Sequence, residues 1–224
     1  MDVITHLLVA WLIAVPFSLK ARDIRLIAAA GVVADIDGIL ILYSFDAFKE
    51  YHRVFTHNYF FFLAFLPIAV ILAVNKRKVA VLAFAAFSSH ILLDIFASEV
   101  VVQPFYPASK AGYGIINYMP MDLILLVITP VVMVVVFIAA LAVVARKHRT
   151  PFELVSRRLD TVMVGIFTYP SKYRCRYCKR KAYYRCSRCG AYFCDRHIGR
   201  LLAMKCRDCG EHDRDKRKLR AKDK

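Results

Sequence analysis

Five apolar runs, at residues 3–19, 24–43, 59–74, 79–97 and 123–145, approach the ~20 residues that an α-helix needs to cross the hydrocarbon of a bilayer. In lipid each backbone polar group must be satisfied inside the structure, so such runs fold as helices. The third run is short and contains Pro67, which leaves its ends loosely defined. The first run has no basic residues before it, and Lys20 and Arg22 follow it instead, so it reads as a retained helix and not as a signal peptide.

The charge is unevenly placed. Residues 1–145 carry nine Lys and Arg against nine Asp and Glu, whereas residues 146–224 carry 24 against eight, together with all seven cysteines and the whole net charge of +16. This divides the chain into a transmembrane domain (1–145), a basic juxtamembrane amphipathic linker (146–172), a cysteine-bearing domain (173–212) and a basic, disordered tail (213–224). Lys and Arg concentrate at 20–25, at 75–78 and after 145, and are sparse at 44–58 and 98–122. Five helices with the N-terminus outside and the tail in the cytoplasm satisfy that pattern.

Within these apolar runs lie Asp35, Asp37 and Asp94, with His6 and His90. A carboxylate at mid-span costs about 2.5–3.5 kcal/mol on insertion scales, so such residues mark an ion path, a metal or a catalytic site. In the five-helix topology they converge on the outer half of the membrane, Asp37 about 9 Å and His90 about 10 Å from their helix ends. The outer loop adds His52, Arg53 and His57 at the same level. His90 and Asp94 stand at i and i+4 on one helix face. Asp35 and Asp37 are about 200° apart on a regular helix, so both can serve one site only if the helix loosens near Gly38. Nitrogen and oxygen ligands of this mix suit one or two divalent ions, zinc or manganese, and Arg53 suits a phosphate held beside them. A proton or cation pathway would use similar residues, and Asp35 could pair with Arg53 structurally. The loop 98–122, with Phe105, Tyr106, Tyr113 and Tyr118, reads as interfacial anchoring ahead of a lid over the site.

Beyond the last run, Phe152, Val155, Leu159, Val162 and Ile166 share one helical stripe, with Glu153, Arg157 and Asp160 opposite. The expectation is an amphipathic helix on the inner leaflet or a linker helix packed on protein, and His148 reads as a solvated charge. Four pairs follow at two-residue separation: Cys175 with Cys178, Cys186 with Cys189, Cys194 with His197, and Cys206 with Cys209. Eight such ligands suffice for two closed structural zinc sites. Disulfides fit poorly, since the count is odd and the topology places the tail in a reducing compartment. Arg174, Arg176, Lys179, Arg180, Lys181 and Arg185 alternate with Tyr173, Tyr177, Tyr183 and Tyr184, a pattern open to nucleic acid, the anionic leaflet or a protein partner.

The ordered set Thr5-His6, Ala34-Asp35-Ile36-Asp37-Gly38, His52-Arg53-Val54-Phe55-Thr56-His57 and His90-Ile91-Leu92-Leu93-Asp94 resembles the motifs of membrane-bound metal-dependent hydrolases, the LexA-binding, inner-membrane-associated hydrolase group. The resemblance covers residues 1–145 and implies that His6, Asp35, Asp37, His52, His57, His90 and Asp94 bind metal or act beside it. Ala34 stands where the family commonly has proline, Val54 where glycine is frequent, and Asn58 where serine is usual. On this reading the chemistry is metal-assisted hydrolysis, with Asp37 or Asp94 orienting the water or accepting its proton and Arg53 stabilising charge on the substrate oxygen. The depth of the site just below the outer surface, and not the resemblance, favours an amphiphilic substrate such as a lipid-linked precursor or phosphate ester.

Residues 184–197 resemble the cores of AN-one and B-box zinc fingers. That resemblance implies a treble-clef or cross-brace domain with Cys175, Cys178, Cys194 and His197 on one ion and Cys186, Cys189, Cys206 and Cys209 on the other. The AN-one ending is His-x-Cys, which makes His212 an alternative ligand at the second site. The fold class expected is an all-α polytopic membrane domain of about five transmembrane helices plus this small zinc-stabilised domain. The rival function is a membrane anchor or ion-conducting protein without catalysis, whose finger recruits a partner.

Overall fold

The computed structural model describes residues 2–42, 44–46, 53–98, 100–167, 173–180, 182, 184–186, 188–200 and 205–210. They form two compact units, Met1–Ala140 and Leu141–Lys224, and each is described by itself.

In the first unit α1 (Val3–Ala14), α2 (Ala21–Ala30), α3 (Tyr59–Leu72) and α4 (Lys76–Phe96) pack together, with α4 against the other three. Three starts are set by side-chain caps, which satisfy amides that a first turn leaves without partners. Asp2 accepts from Thr5 N at 2.9 Å, Asn58 from Phe61 N at 2.8 Å, and Asn75 from Lys78 N at 3.2 Å. Asn58 also donates its amide to Val54 O at 3.2 Å and Phe55 O at 2.6 Å, which ties the preceding loop to the start of α3. Ala30, Ala34, Phe62, Ala83, Phe87, Ile91 and Val102 form the core, in which Phe62 stacks on Phe87 at 4.5 Å. At Gly31 a Cβ would collide with Ala10, so glycine permits the close approach of α1 and α2.

α4 and the continuous helix α5 (Met121–Lys147) are long and apolar enough to cross a membrane. α5 carries a wider π turn at Ile124–Ile128 and exposes Leu126, Val131, Val134, Val135 and Ile138 along its length. α1 and α3 have 12 and 14 residues, about 18 and 21 Å, which is short of a ~30 Å hydrocarbon core. α3 runs through Pro67 without ending there.

The second apolar run is not one helix. α2 ends at Gly31, and a 3-10 segment follows at Val33–Leu42, so in place of the loosening expected near Gly38 the chain winds more tightly, from before Asp35. The loop 98–122 is tied by Val102 and Tyr113, which exchange backbone hydrogen bonds of 2.9 and 2.8 Å. Phe105 stacks on Tyr59 and Tyr106 meets Phe55 edge-on, whereas Tyr113 and Tyr118 face outward.

The second unit contains the end of α5, a 3-10 turn at Pro151–Leu154, and α6 (Arg157–Phe167). Two antiparallel ribbons follow, β1 (Tyr184–Arg185) with β2 (Tyr192–Phe193), and β3 (Ile198–Arg200) with β4 (Lys205–Cys206). The amphipathic stretch expected as one helix is broken at 155–156, between the Pro151 turn and α6. Glu153 and Asp160, expected on a solvated side, are buried. Their charges are met inside the protein: Arg149 donates to Glu153 at 2.6 Å, and Thr150 N and Oγ1 donate to Asp160 at 2.6 and 2.8 Å. Burial pushes the Asp160 carboxyl above its ordinary range. His148 is likewise buried, not solvated, with its ring edge-on to Tyr173 at 4.4 Å.

Candidate metal centres

In the first unit the polar residues of four separate segments meet. The cap of α1 places His6, the 3-10 segment carries Asp35 and Asp37, the loop before α3 supplies Arg53, Thr56 and His57, and α4 supplies His90 and Asp94. Ligand atoms of Asp35, His57, His90 and Asp94 all lie within 4.8 Å of one another and could hold a metal ion. His57 Nε2 is 3.5 Å from Asp35 Oδ1 and 3.4 Å from Asp94 Oδ2, and His90 Nε2 is 3.7 and 3.6 Å from the same two atoms. Ligands about 2.0–2.1 Å from a tetrahedral ion sit about 3.3–3.4 Å apart, close to these spacings.

The group fits a cation on a second count. Asp35 Oδ2, His6 Nδ1 and His90 Nε2 are buried and make no hydrogen bond among the described residues. Buried polar atoms left this way are costly unless something else satisfies them.

The surrounding contacts set the orientation of the group. His90 Nδ1 lies 2.9 Å from Gly31 O, which directs Nε2 toward the carboxylates. Asp37 Oδ2 accepts from Arg53 N at 2.8 Å and Thr56 Oγ1 at 2.7 Å, and lies 3.5 Å from His57 Nδ1. Asp37 is thus turned toward the far side of His57, outside the four-residue group. His6 stacks on His90 at 3.8 Å, and its Nε2 is 3.3 Å from Asp94 Oδ1.

Arg53 has a left-handed backbone, φ 71°, and is buried, with Nε 3.8 Å from Asp94 and Nη1 donating to Ser98 Oγ. Burial opposes charge on His57, yet Asp35, Asp37 and Asp94 beside its ring push its pKa up to about 10. His52 lies outside the described residues. Three participants escaped sequence reading: Thr56, whose position inside the His-Arg loop was the available signal, Ser98, and the Gly31 carbonyl, a backbone group that residue identity cannot reveal.

The second unit contains two further groups. Cys175, Cys178, Cys194 and His197 come together, as do Cys186, Cys189, Cys206 and Cys209, and each set could hold a metal ion. The pairs interleave along the chain, the arrangement that the finger resemblance implies. All seven cysteines are free thiols. Cys194 Sγ and His197 Nδ1 are 3.3 Å apart, and Cys178 Sγ and Cys194 Sγ 3.6 Å. Burial raises the Cys175 and Cys186 thiols, but neighbouring backbone amides outweigh it and bring them to about 6 and about 7, favouring the thiolate that binds metal. His212, Lys181 and Tyr183 lie outside the described residues. The remaining tyrosines of the basic stretch pack within the unit: Tyr173 stacks on Tyr192 at 4.0 Å, Tyr177 faces His197, and Tyr184 faces Phe193.

No curated protein and no solved structure matches the chain. The model of the YdjM inner membrane protein family matches residues 1–168. That span takes in the whole Asp/His group, both membrane-length helices and α6, and it ends before the first cysteine pair. Three quarters of this chain thus carries the family's pattern, and the chain belongs to the YdjM inner membrane protein family.

Proposed function

We propose that this chain is a membrane-embedded metal-dependent hydrolase acting on an amphiphilic phosphate ester or lipid-linked substrate, with a cytoplasmic double-zinc module at its C-terminus. The observation that carries the reading is the closure of Asp35, His57, His90 and Asp94 on one point. A relay for protons or ions would string such groups across the membrane, whereas these converge.

In this reading all five apolar segments lie within the bilayer, with the N-terminus and the Asp/His group toward the outer face. Asp35, His57, His90 and Asp94 hold one divalent ion, zinc or manganese. A divalent ion bound there supplies Lewis-acid polarisation of the substrate and of the attacking water. Asp35 is the one carboxylate of the group with an appreciably exposed side chain, 12%, so substrate and water enter beside it. Ile36, Ile39 and Phe55, exposed near that entrance, suit an apolar tail.

Arg53 places a guanidinium next to Asp94, where it stabilises negative charge on a phosphoryl oxygen. Asp94 has one oxygen near His6 and the other near His57 and His90, and in this scheme it would orient the attacking water. Asp37 positions His57 and the Arg53 backbone. The tail ions, enclosed by four protein ligands each, are structural.

The test is hydrolysis of phosphodiester and phosphomonoester lipids in vesicles by the full chain, with and without added zinc or manganese. Metal-dependent release that is lost in His90→Ala and reduced in Arg53→Lys supports the reading. Release that is equal in His90→Ala would remove the assignment of chemistry to this group.

A further inference from the structure

We infer that α6 and the turn before it form a lipid-docking face, which lays the second unit against the leaflet where α5 ends. Glu153 and Asp160 are turned inward onto Arg149 and Thr150, and Val164 is buried with them. α6 packs against the 151–154 turn and β1. Leu159, Val162 and Ile166, at i, i+3 and i+7, therefore look outward along one stripe, extended by Phe152, Val155 and Phe167. Val155 is 71% exposed and Ile166 63%. Across the turn and the helix both acids, Glu153 and Asp160, are inside, while of the apolar side chains Val164 is buried and those of the stripe stand outside.

Two observations select lipid as the occupant. First, the stripe begins at Phe152, five residues beyond the end of the membrane-length helix at Lys147, and five extended residues reach at most about 18 Å. The chain therefore cannot carry the stripe far from the bilayer surface. Second, the exposed cations Arg146, Lys147 and Arg157 flank it, as expected for an apolar face seated among anionic headgroups. Docking of this kind does not depend on the hydrolase reading.

The natural chain has one tryptophan, Trp11, buried in α1. The test places a second on the stripe, Val162→Trp or Ile166→Trp, in the full chain reconstituted into phosphatidylethanolamine and phosphatidylglycerol vesicles. Emission added over the unsubstituted chain should be blue-shifted, lost when lipids brominated near the headgroup end of the acyl chain are used, and insensitive to aqueous acrylamide. A circular dichroism spectrum and thermal unfolding profile matching those of the unsubstituted chain show that each variant is folded. Added emission that is red-shifted and quenched by acrylamide would overturn the proposal in favour of a solvated face. Emission that is blue-shifted, indifferent to brominated lipid and lost on dilution of protein in lipid would overturn it in favour of a second copy of the chain.

Discussion

His57 and His90 each use one ring nitrogen for orientation, toward Asp37 and Gly31 O, and turn the other to Asp35 and Asp94. This division of labour separates two kinds of substitution. Asp37→Asn leaves the four-residue group intact but weakens the contact that directs His57, so metal affinity should fall about 10–100-fold, as for other partners of metal-binding histidines. Titration with zinc or manganese followed by calorimetry measures it; an unchanged affinity would place Asp37 outside the site altogether. In the tail, Cys186→Ser removes a buried ligand from a set of four. Since structural zinc contributes folding energy directly, this variant should lose the protection of β1, β2 and β4 against proteolysis while sparing α4. The Asp and His residues that come together were legible in the sequence because carboxylates and imidazoles are out of place in apolar runs. The residues that orient them were not, because Gly31 acts through its carbonyl and Ser98 is an ordinary polar residue until the fold brings it to Arg53.

Among the elements, α1 and α2 approach closely at Gly31 and Ala10, and the same glycine ends α2 and accepts from His90. Gly31→Ala should therefore do two things at once. Overpacking at that contact costs about 1–3 kcal/mol, lowering the unfolding temperature in detergent, and the displaced α1 takes His6 away from Asp94. A variant with unchanged stability would show that the contact is looser than the structure has it. At the start of α3, Asn58→Ser keeps a cap but loses the amide's donations to Val54 O and Phe55 O. It should therefore destabilise less than Asn58→Ala, which loses the cap as well, itself worth about 1 kcal/mol, both read from thermal unfolding. The apolar runs were visible from composition, and the caps at Asp2, Asn58 and Asn75 follow from residue type. The break between α2 and the 3-10 segment was not visible, because an apolar run has the same hydropathy whether it winds as one helix or two. The stretch 152–166 misled in another way: the stripe was correct, but burial of Glu153 and Asp160 depends on partners at 149 and 150 that a helical pattern does not include.

As a whole molecule, the chain joins a membrane unit of a recognised inner-membrane family to a cysteine-rich unit that the family match does not include. The two hold chemically different ligand sets, Asp and His in one and Cys with one His in the other. They should therefore lose metal independently, the tail to a thiol-reactive mercurial and the membrane group to substitution of its own residues. The sequence showed this division through its charge and cysteine distribution; of the five apolar runs, two form helices of membrane-crossing length, while α1 and α3 are shorter apolar helices.

The most direct test of the central claim is the metal content of the purified full chain, compared with His90→Ala plus Asp94→Ala and, as a gentler change, Asp35→Asn. The natural chain should hold one divalent ion for each of the three ligand groups. The double variant should lose one ion and Asp35→Asn should retain it more weakly, with an intact tail complement in both. Equal metal content in the natural chain and the double variant would contradict that claim, because the buried Asp/His group would then hold no ion to lose.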